Sequence, residues 1–287
     1  MTIQIFDPKV HDLGGFQVRR LLPQLRARHV GPFVFFDHMG PAQFAPGHGV
    51  DVRPHPHIGL ATVTYLFRGA MEHRDSLGNA RTIRPGDVNW MTAGRGIVHS
   101  ERSPAAERAA GDALHGIQTW VALPQHAEEA EPDFHHHAAS SLPRFTNGDA
   151  SLTLIAGTSF GQTSPVATFS NMFYLAAEFP AAGAMVLPAE HIERGVYATD
   201  ATLHVDGVEL APTQLAVLPP GKEVEIRASA AACVMICGGD PLDGERHLYW
   251  NFVSSSRERI ERAKADWKAM RFGTVPGDAE FIPLPDY

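Results

Sequence analysis

Short runs of aliphatic, β-branched and aromatic residues recur along nearly the whole chain, and each is cut short by turn residues. Examples are TVTYLF (62–67), IQTWVAL (117–123), SLTLIAG (151–157), FYLAAEF (173–179), TLHVDG (202–207) and QLAVLPPG (214–221). Strand-like runs with turn signals this close together predict an all-β sandwich or barrel. The 26 glycines and 22 prolines are scattered between them as turn punctuation. One stretch reads differently. In SSSRERIERAKADWKAM (254–270), Ile260, Ala263, Trp267 and Met270 fall at three- and four-residue steps, with Ser255 or Ser256 as N-cap and Gly273 past the end. A helix packed on the outside of a sheet is expected there.

A similar strand grammar repeats on both sides of a polar tract at 124–142, PQHAEEAEPDFHHHAASSL, which is poor in β-branched residues and reads as an interdomain connection. Two strand–Pro–Gly turns, IRPGDVNWM (83–91) and LPPGKEVEI (218–226), add to the sense of a duplication. With 287 residues, the chain has room for two β-domains. The expected division is residues 1–140 and 141–287, with the helix near 255–270 in the second. A formal charge of −8 argues against nucleic-acid binding, which wants basic patches. No stretch approaches the roughly 20 apolar residues that span a bilayer, and MTIQIFDPKVHDLGG lacks the layout of a secretory signal. A cytoplasmic protein is expected. Cys233 and Cys237, in an apolar run, read as buried free thiols.

His55-Pro56-His57 and His99-Ser100-Glu101 each place two ligand side chains two residues apart. In a strand, residues i and i+2 project to one face. If both runs are extended neighbours, three imidazoles and one carboxylate converge, a set suited to Fe, Mn, Ni, Cu or Zn. An expansion to six ligands leaves up to two exchangeable positions.

Other candidates carry a structural reading beside the functional one. Asp37 and His38 lie in a Phe-rich strand and could hold a ligand imidazole or cap a turn. Gln118 and Trp120 share one strand face and could line a pocket, although Trp120 could equally be core. His73 and Asp75, in HRDSLGN, read mostly as hairpin-turn residues. Phe33, Phe35 and Met91 could form an apolar wall, Trp90 reads as core, and His135–His137 read as a solvated loop or strand edge.

The arrangement resembles the cupin barrels, in which one hairpin supplies His-x-His and a second supplies another His. Cupins usually place a Glu three or four residues after the pair; here Ala61 and Thr62 stand near that point, and Glu101 can replace the missing carboxylate. FVFFDHMGP (33–41), HPHIGLATVTYLFRG (55–69), HRDSLGN (73–79), GDVNWMTAGRGIVHSE (86–101), IQTWVALP (117–124), DPLDGE (240–245) and FVSSSRERIERAKADWKAMRFG (252–273) together resemble the pirin family. The resemblance implies a bicupin: two double-stranded β-helix (jelly-roll) barrels in tandem with a short C-terminal helix, and metal in the N-terminal barrel alone. It implies Fe(II) held by His55, His57, His99 and Glu101, with Mn, Ni, Co, Cu or Zn as alternatives. It also implies a quercetinase-type dioxygenase acting on a flavonol and O2, with Glu101 as both ligand and base. A non-enzymatic alternative is a redox-responsive protein docking on a transcription factor or metabolic enzyme, for which EEAEPD (128–133) and the helix offer faces.

Overall fold

The computed structural model describes residues 2–12 and 15–286. Strands dominate; the α-helices are Ala105–Ala110 and Arg257–Lys268. Among the described residues, no helix is long and apolar enough to cross a membrane. Two compact units interleave in the chain. One takes the N-terminal segment up to Val10, Arg19–Phe36 and Ser140–Leu242; the other takes His11–Val18, Asp37–Ala139 and the segment from Asp243 onward.

The unit built on residues 140–242 is a two-sheet β-barrel. One sheet runs Gln4–Phe6, Leu215–Val217, Glu193–Ala198, Ala232–Gly239, Met172–Phe179, Ala150–Ser159 and Arg144–Asn147; the other runs Gly183–Leu187, Val224–Ala228, Leu203–Val205 and Val208–Leu210. Strand alternation explains why they face each other. In Val224–Ala228, Val224, Ile226 and Ala228 are buried while Glu225 and Arg227 are exposed. Inward residues of both sheets, among them Leu152, Leu175, Leu203, Val224, Val234 and Ile236, form one core. Cys233 and Cys237 are free thiols in this unit, and burial pushes both up to about 12.

The unit built on residues 37–139 repeats the plan. Its four-stranded sheet runs Asp51–His57, Ile97–Arg102, Met71–Asp75 and Ala80–Ile83. Its larger sheet runs Asp133–His137, Val88–Thr92, Leu60–Arg68 and Ala113–Ala122, and continues to Phe33–Gln43, the strand on which the chain passes from one unit to the other. Val18, Met39, Leu66, Met71, Ile83 and Leu114 fill one end of the interior.

Two sequence readings change here. The tract at 124–142 contains the edge strand Asp133–His137, which pairs with Val88–Thr92, so most of it belongs to the histidine-bearing barrel. Polarity misleads because an edge strand wets one side. The crossing between units falls at residues 139 and 140, but the C-terminal segment returns to the barrel of residues 37–139. Ile260, Ala263 and Trp267 of the helix bury against Ile58, Val98 and Phe252 of that unit. The helix itself follows its sequence signals: Ser256 is the N-cap and accepts from the Arg259 N–H. Met270, expected on its apolar face, lies beyond the last turn and is exposed.

Candidate metal centre

Asp51–His57 and Ile97–Arg102 are antiparallel neighbours, with His99 opposite His55 and Ile97 opposite His57. Strand alternation turns His55 and His57 to one face, and the pairing sets His99 beside both. The His99 ring centroid lies 4.4 Å from that of His55 and 5.0 Å from that of His57. One nitrogen from each of the three rings lies within 4.8 Å of the others, and all three residues are buried. Just beyond the pair, Gly59 takes φ of +67°, and a Cβ there would strike the Val253 carbonyl. Only glycine allows this turn next to so close a backbone.

Burial drives His55 down to about 4, against a weaker upward pull from the Arg53 carbonyl, and nearby His73 adds to the fall. His57 and His99 lie well below the ordinary histidine range, through burial first and neighbouring imidazoles second. All three rings are therefore neutral at pH 7 and hold a free lone pair. On His55, Nδ1 donates to the Arg53 carbonyl at 2.9 Å, leaving the lone pair on Nε2. Nε2 of His99 is buried with no hydrogen-bond partner. Such an atom is costly unless something electrophilic meets it. The donor set fits a divalent first-row metal.

Glu101 shares the strand of His99 and is buried. Its carboxylate is not within the tight three-imidazole group. It accepts from Gln118 Nε2 at 2.7 Å, and Thr64 also bonds it. Pairing with Asp51–His57 slips between His99 and Glu101, so Glu101 faces Val52 and two partner residues stand against Ser100. Burial raises the Glu101 pKa, partly countered by Gln118, His73 and Thr64. Trp120 sets its ring edge-on to His57, with centroids 5.1 Å apart. Gln118 and Trp120 therefore lie beside the ligand candidates on one strand face.

Other candidates fall elsewhere. His38 points its Nε2 at His115 Nε2, 2.8 Å away, and its neighbour Met39 enters the apolar core. Asp37 is buried on the same strand. Phe33 packs on Tyr174, and Phe35 lies under the Arg20 guanidinium, both inside the other unit. Trp90 is buried and donates to Thr92, as a core residue does. Met91 is buried opposite Thr62.

The sequence reading undervalued His73 and Asp75. His73 Nδ1 is 3.3 Å from His99 Nδ1, and His73 Nε2 is 2.9 Å from Asp75 Oδ2. Asp75 does serve its turn, since Oδ1 accepts from the N–H groups of Leu77 and Asn79. Burial pushes its carboxyl up, but the bonds from His73 and Asn79 outweigh that and hold it below the usual range. The His-x-Asp spacing on one strand face was the available signal, because it repeats the i, i+2 logic of the ligand pairs.

Two jelly-roll barrels in one chain, one of them gathering three buried neutral imidazoles on neighbouring strands, define a bicupin with a candidate metal centre. Comparison with known proteins sharpens this. Residues 15–121 match the Pirin family, and residues 174–273 match the Pirin C-terminal cupin domain. A Pirin-like protein of Caulobacter vibrioides is 50% identical over 286 residues, covering 98% of this chain and 99% of the relative. A Pseudomonas aeruginosa protein, provisionally named a quercetin 2,3-dioxygenase, is 40% identical, covering 93% of this chain and 82% of its own. A crystal structure of quercetin 2,3-dioxygenase from Acinetobacter baumannii superposes with a TM-score of 0.93 at 34% identity, covering 100% of this chain and 96% of that one. The chain belongs to the pirin family.

Proposed function

We propose that this protein is a metal-dependent flavonol dioxygenase of the quercetinase type, with iron as the working metal. His55, His57 and His99 would hold the ion, with Glu101 as the carboxylate of the set. The observation that carries the reading is the buried His55–His57–His99 group with Glu101 and its partner Gln118 beside it. The likeness to relatives named for quercetin oxidation supports the substrate class.

When bound, a divalent ion supplies Lewis acidity and positions for oxygen ligands. The chain's own residues do the rest. Glu101, whose burial makes it a stronger base than an exposed carboxylate, takes the proton of the flavonol hydroxyl. Gln118 holds Oε1 of Glu101, leaving Oε2 to receive that proton. Trp120, against His57, keeps bulk water from that side of the group. The deprotonated flavonol is electron-rich enough to react with O2. Both oxygen atoms enter the ring-opened product, and one carbon leaves as carbon monoxide.

The test is aerobic incubation of quercetin with protein loaded separately with Fe, Mn, Ni, Co or Cu. Loss of flavonol absorbance with one CO released per O2 consumed is expected for at least one metal. No turnover with any of them contradicts the reading.

A further inference from the structure

Behind His99, on the side away from its buried Nε2, a second chain of polar atoms runs to the hairpin turn at residues 75–79. The strand Met71–Asp75 pairs with Ile97–Arg102 so that Asp75 lies opposite His99 and His73 opposite Glu101. His73 is stacked flat on Phe134, with centroids 4.1 Å apart and planes 6° from parallel. That stacking fixes the ring plane. The two hydrogen bonds at its nitrogens then fix which atom each one meets.

The donor order along this chain follows from its far end. Asp75 Oδ1 accepts the backbone N–H groups of Leu77 at 2.9 Å and Asn79 at 3.1 Å, so the carboxylate is anchored as an acceptor. Oδ2 also accepts from Asn79 Nδ2, at 3.0 Å. His73 Nε2, 2.9 Å from Oδ2, must therefore be the donor. A neutral imidazole with its proton on Nε2 has a lone pair on Nδ1. That lone pair faces His99 Nδ1 at 3.3 Å, which must then carry a proton. The proton on His99 Nδ1 leaves the lone pair on Nε2, the buried atom with no hydrogen-bond partner. For a neutral His73 ring, each step follows from the one before it.

We propose that His73 and Asp75 are positioning residues that fix the ring tautomer of His99, so that His99 presents Nε2 as an electron-pair donor. The carboxylate–imidazole–imidazole order extends by one ring the common arrangement in which a ligand histidine donates directly to a carboxylate or carbonyl. His55 uses the shorter version, donating from Nδ1 to the Arg53 carbonyl. Two ligand candidates are thus set to the same tautomer by different devices. The inference rests on the reading of His99 as a metal ligand, but the tautomer is a property of the protein without metal.

Asp75→Asn is the informative change, because it replaces one acceptor by a donor without altering shape. The two backbone N–H groups keep the amide oxygen at the Oδ1 position, which turns the amide NH2 toward His73. His73 must then accept on Nε2 and donate from Nδ1, and His99 must move its proton to Nε2. The experiment is long-range 1H–15N correlation of histidine-labelled, metal-free protein at pH 7.5, paired with Mn(II) or Zn(II) affinity by chelator competition. In the unsubstituted protein His99 is expected as the Nδ1–H form and His73 as the Nε2–H form. Asp75→Asn is expected to invert both and to weaken metal binding by about 10–100-fold. His73→Phe, which keeps the stack on Phe134, is expected to release the His99 tautomer and weaken binding without inverting it. An Nε2–H form of His99 in the unsubstituted protein overturns the proposal, as does an Asp75→Asn variant that folds with its tautomers unchanged. If the tautomers are as stated but no metal binds, the relay stands and the metal reading fails.

Discussion

Gln118 Nε2 lies 2.7 Å from Glu101 Oε1, and this contact ties the Glu101 carboxylate to the neighbouring sheet. Gln118 sits on Ala113–Ala122 and Glu101 on Ile97–Arg102, so the bond crosses the barrel interior between its two sheets. An amide donor of this kind holds Oε1 in place and sets the orientation of the carboxylate. Replacing Glu101 by Gln preserves size but removes the basic oxygen. Glu101→Gln is expected to lower flavonol turnover by about 100-fold or more, the contribution usual for a general base, with the melting temperature nearly unchanged. A full-rate Glu101→Gln variant removes the base role.

The depressed histidines set the pH response of the metal-free protein. A histidine with a lowered folded pKa binds fewer protons folded than unfolded between the two values. Stability is then fully present above pH 6.5 and lost as pH falls toward 4. For His55, pushed from 6.5 to about 4, the loss is about 3 kcal/mol. His57 and His99 act in the same direction. Glu101, with its raised pKa, acts in the opposite direction. Urea midpoints of metal-free protein are expected to fall steadily from pH 7 to pH 4.5, and a flat profile would show that the rings are not buried neutral.

Much of this was legible in the sequence because strand periodicity is local. His55, His57 and His99 needed only the i, i+2 rule and the pairing of two strands, and the helix at 257–268 carried its own cap and spacing. His73 was harder: a short polar run before glycine satisfies turn chemistry, and its i, i+2 spacing with Asp75 does not by itself say that the ring lies behind His99. The polar tract at 124–142 failed for a different reason. Glu128, read as part of an acidic docking face, is buried and accepts from Ser254 Oγ, Ser255 N–H and Ser255 Oγ, with Arg246 Nε 3.0 Å away. Nothing within the tract could announce partners more than a hundred residues downstream.

Those partners make Glu128 a sensitive position. Removing one member of a buried ion pair leaves the other charged and desolvated, at a cost of about 3–5 kcal/mol. Glu128→Ala is expected to lose stability on that scale in chemical denaturation. Exposed Glu131, paired with Arg95 at the surface, is expected to lose less than about 1 kcal/mol on the same change.

The C-terminal segment reaches both ligand strands. Arg102, next to Glu101, bonds Asp278 and Glu280, while the Ile282 N–H donates to the Pro54 carbonyl next to His55. Tyr249 Oη and Trp267 Nε1 hold the same segment through the Pro285 and Ile282 carbonyls. Arg102→Ala should loosen this brace, lowering the melting temperature by a few degrees and raising hydrogen exchange at residues 52–56 and 278–284. Unchanged exchange at 52–56 would separate the segment from the ligand strand.

The most direct measurement is metal stoichiometry by elemental analysis after loading and desalting, comparing the unsubstituted protein with His57→Ala and His99→Ala. One ion per chain in the first, and well below one in each variant at unchanged circular dichroism, is the expected result. Equal metal content in all three would contradict the assignment of the centre to His55, His57 and His99.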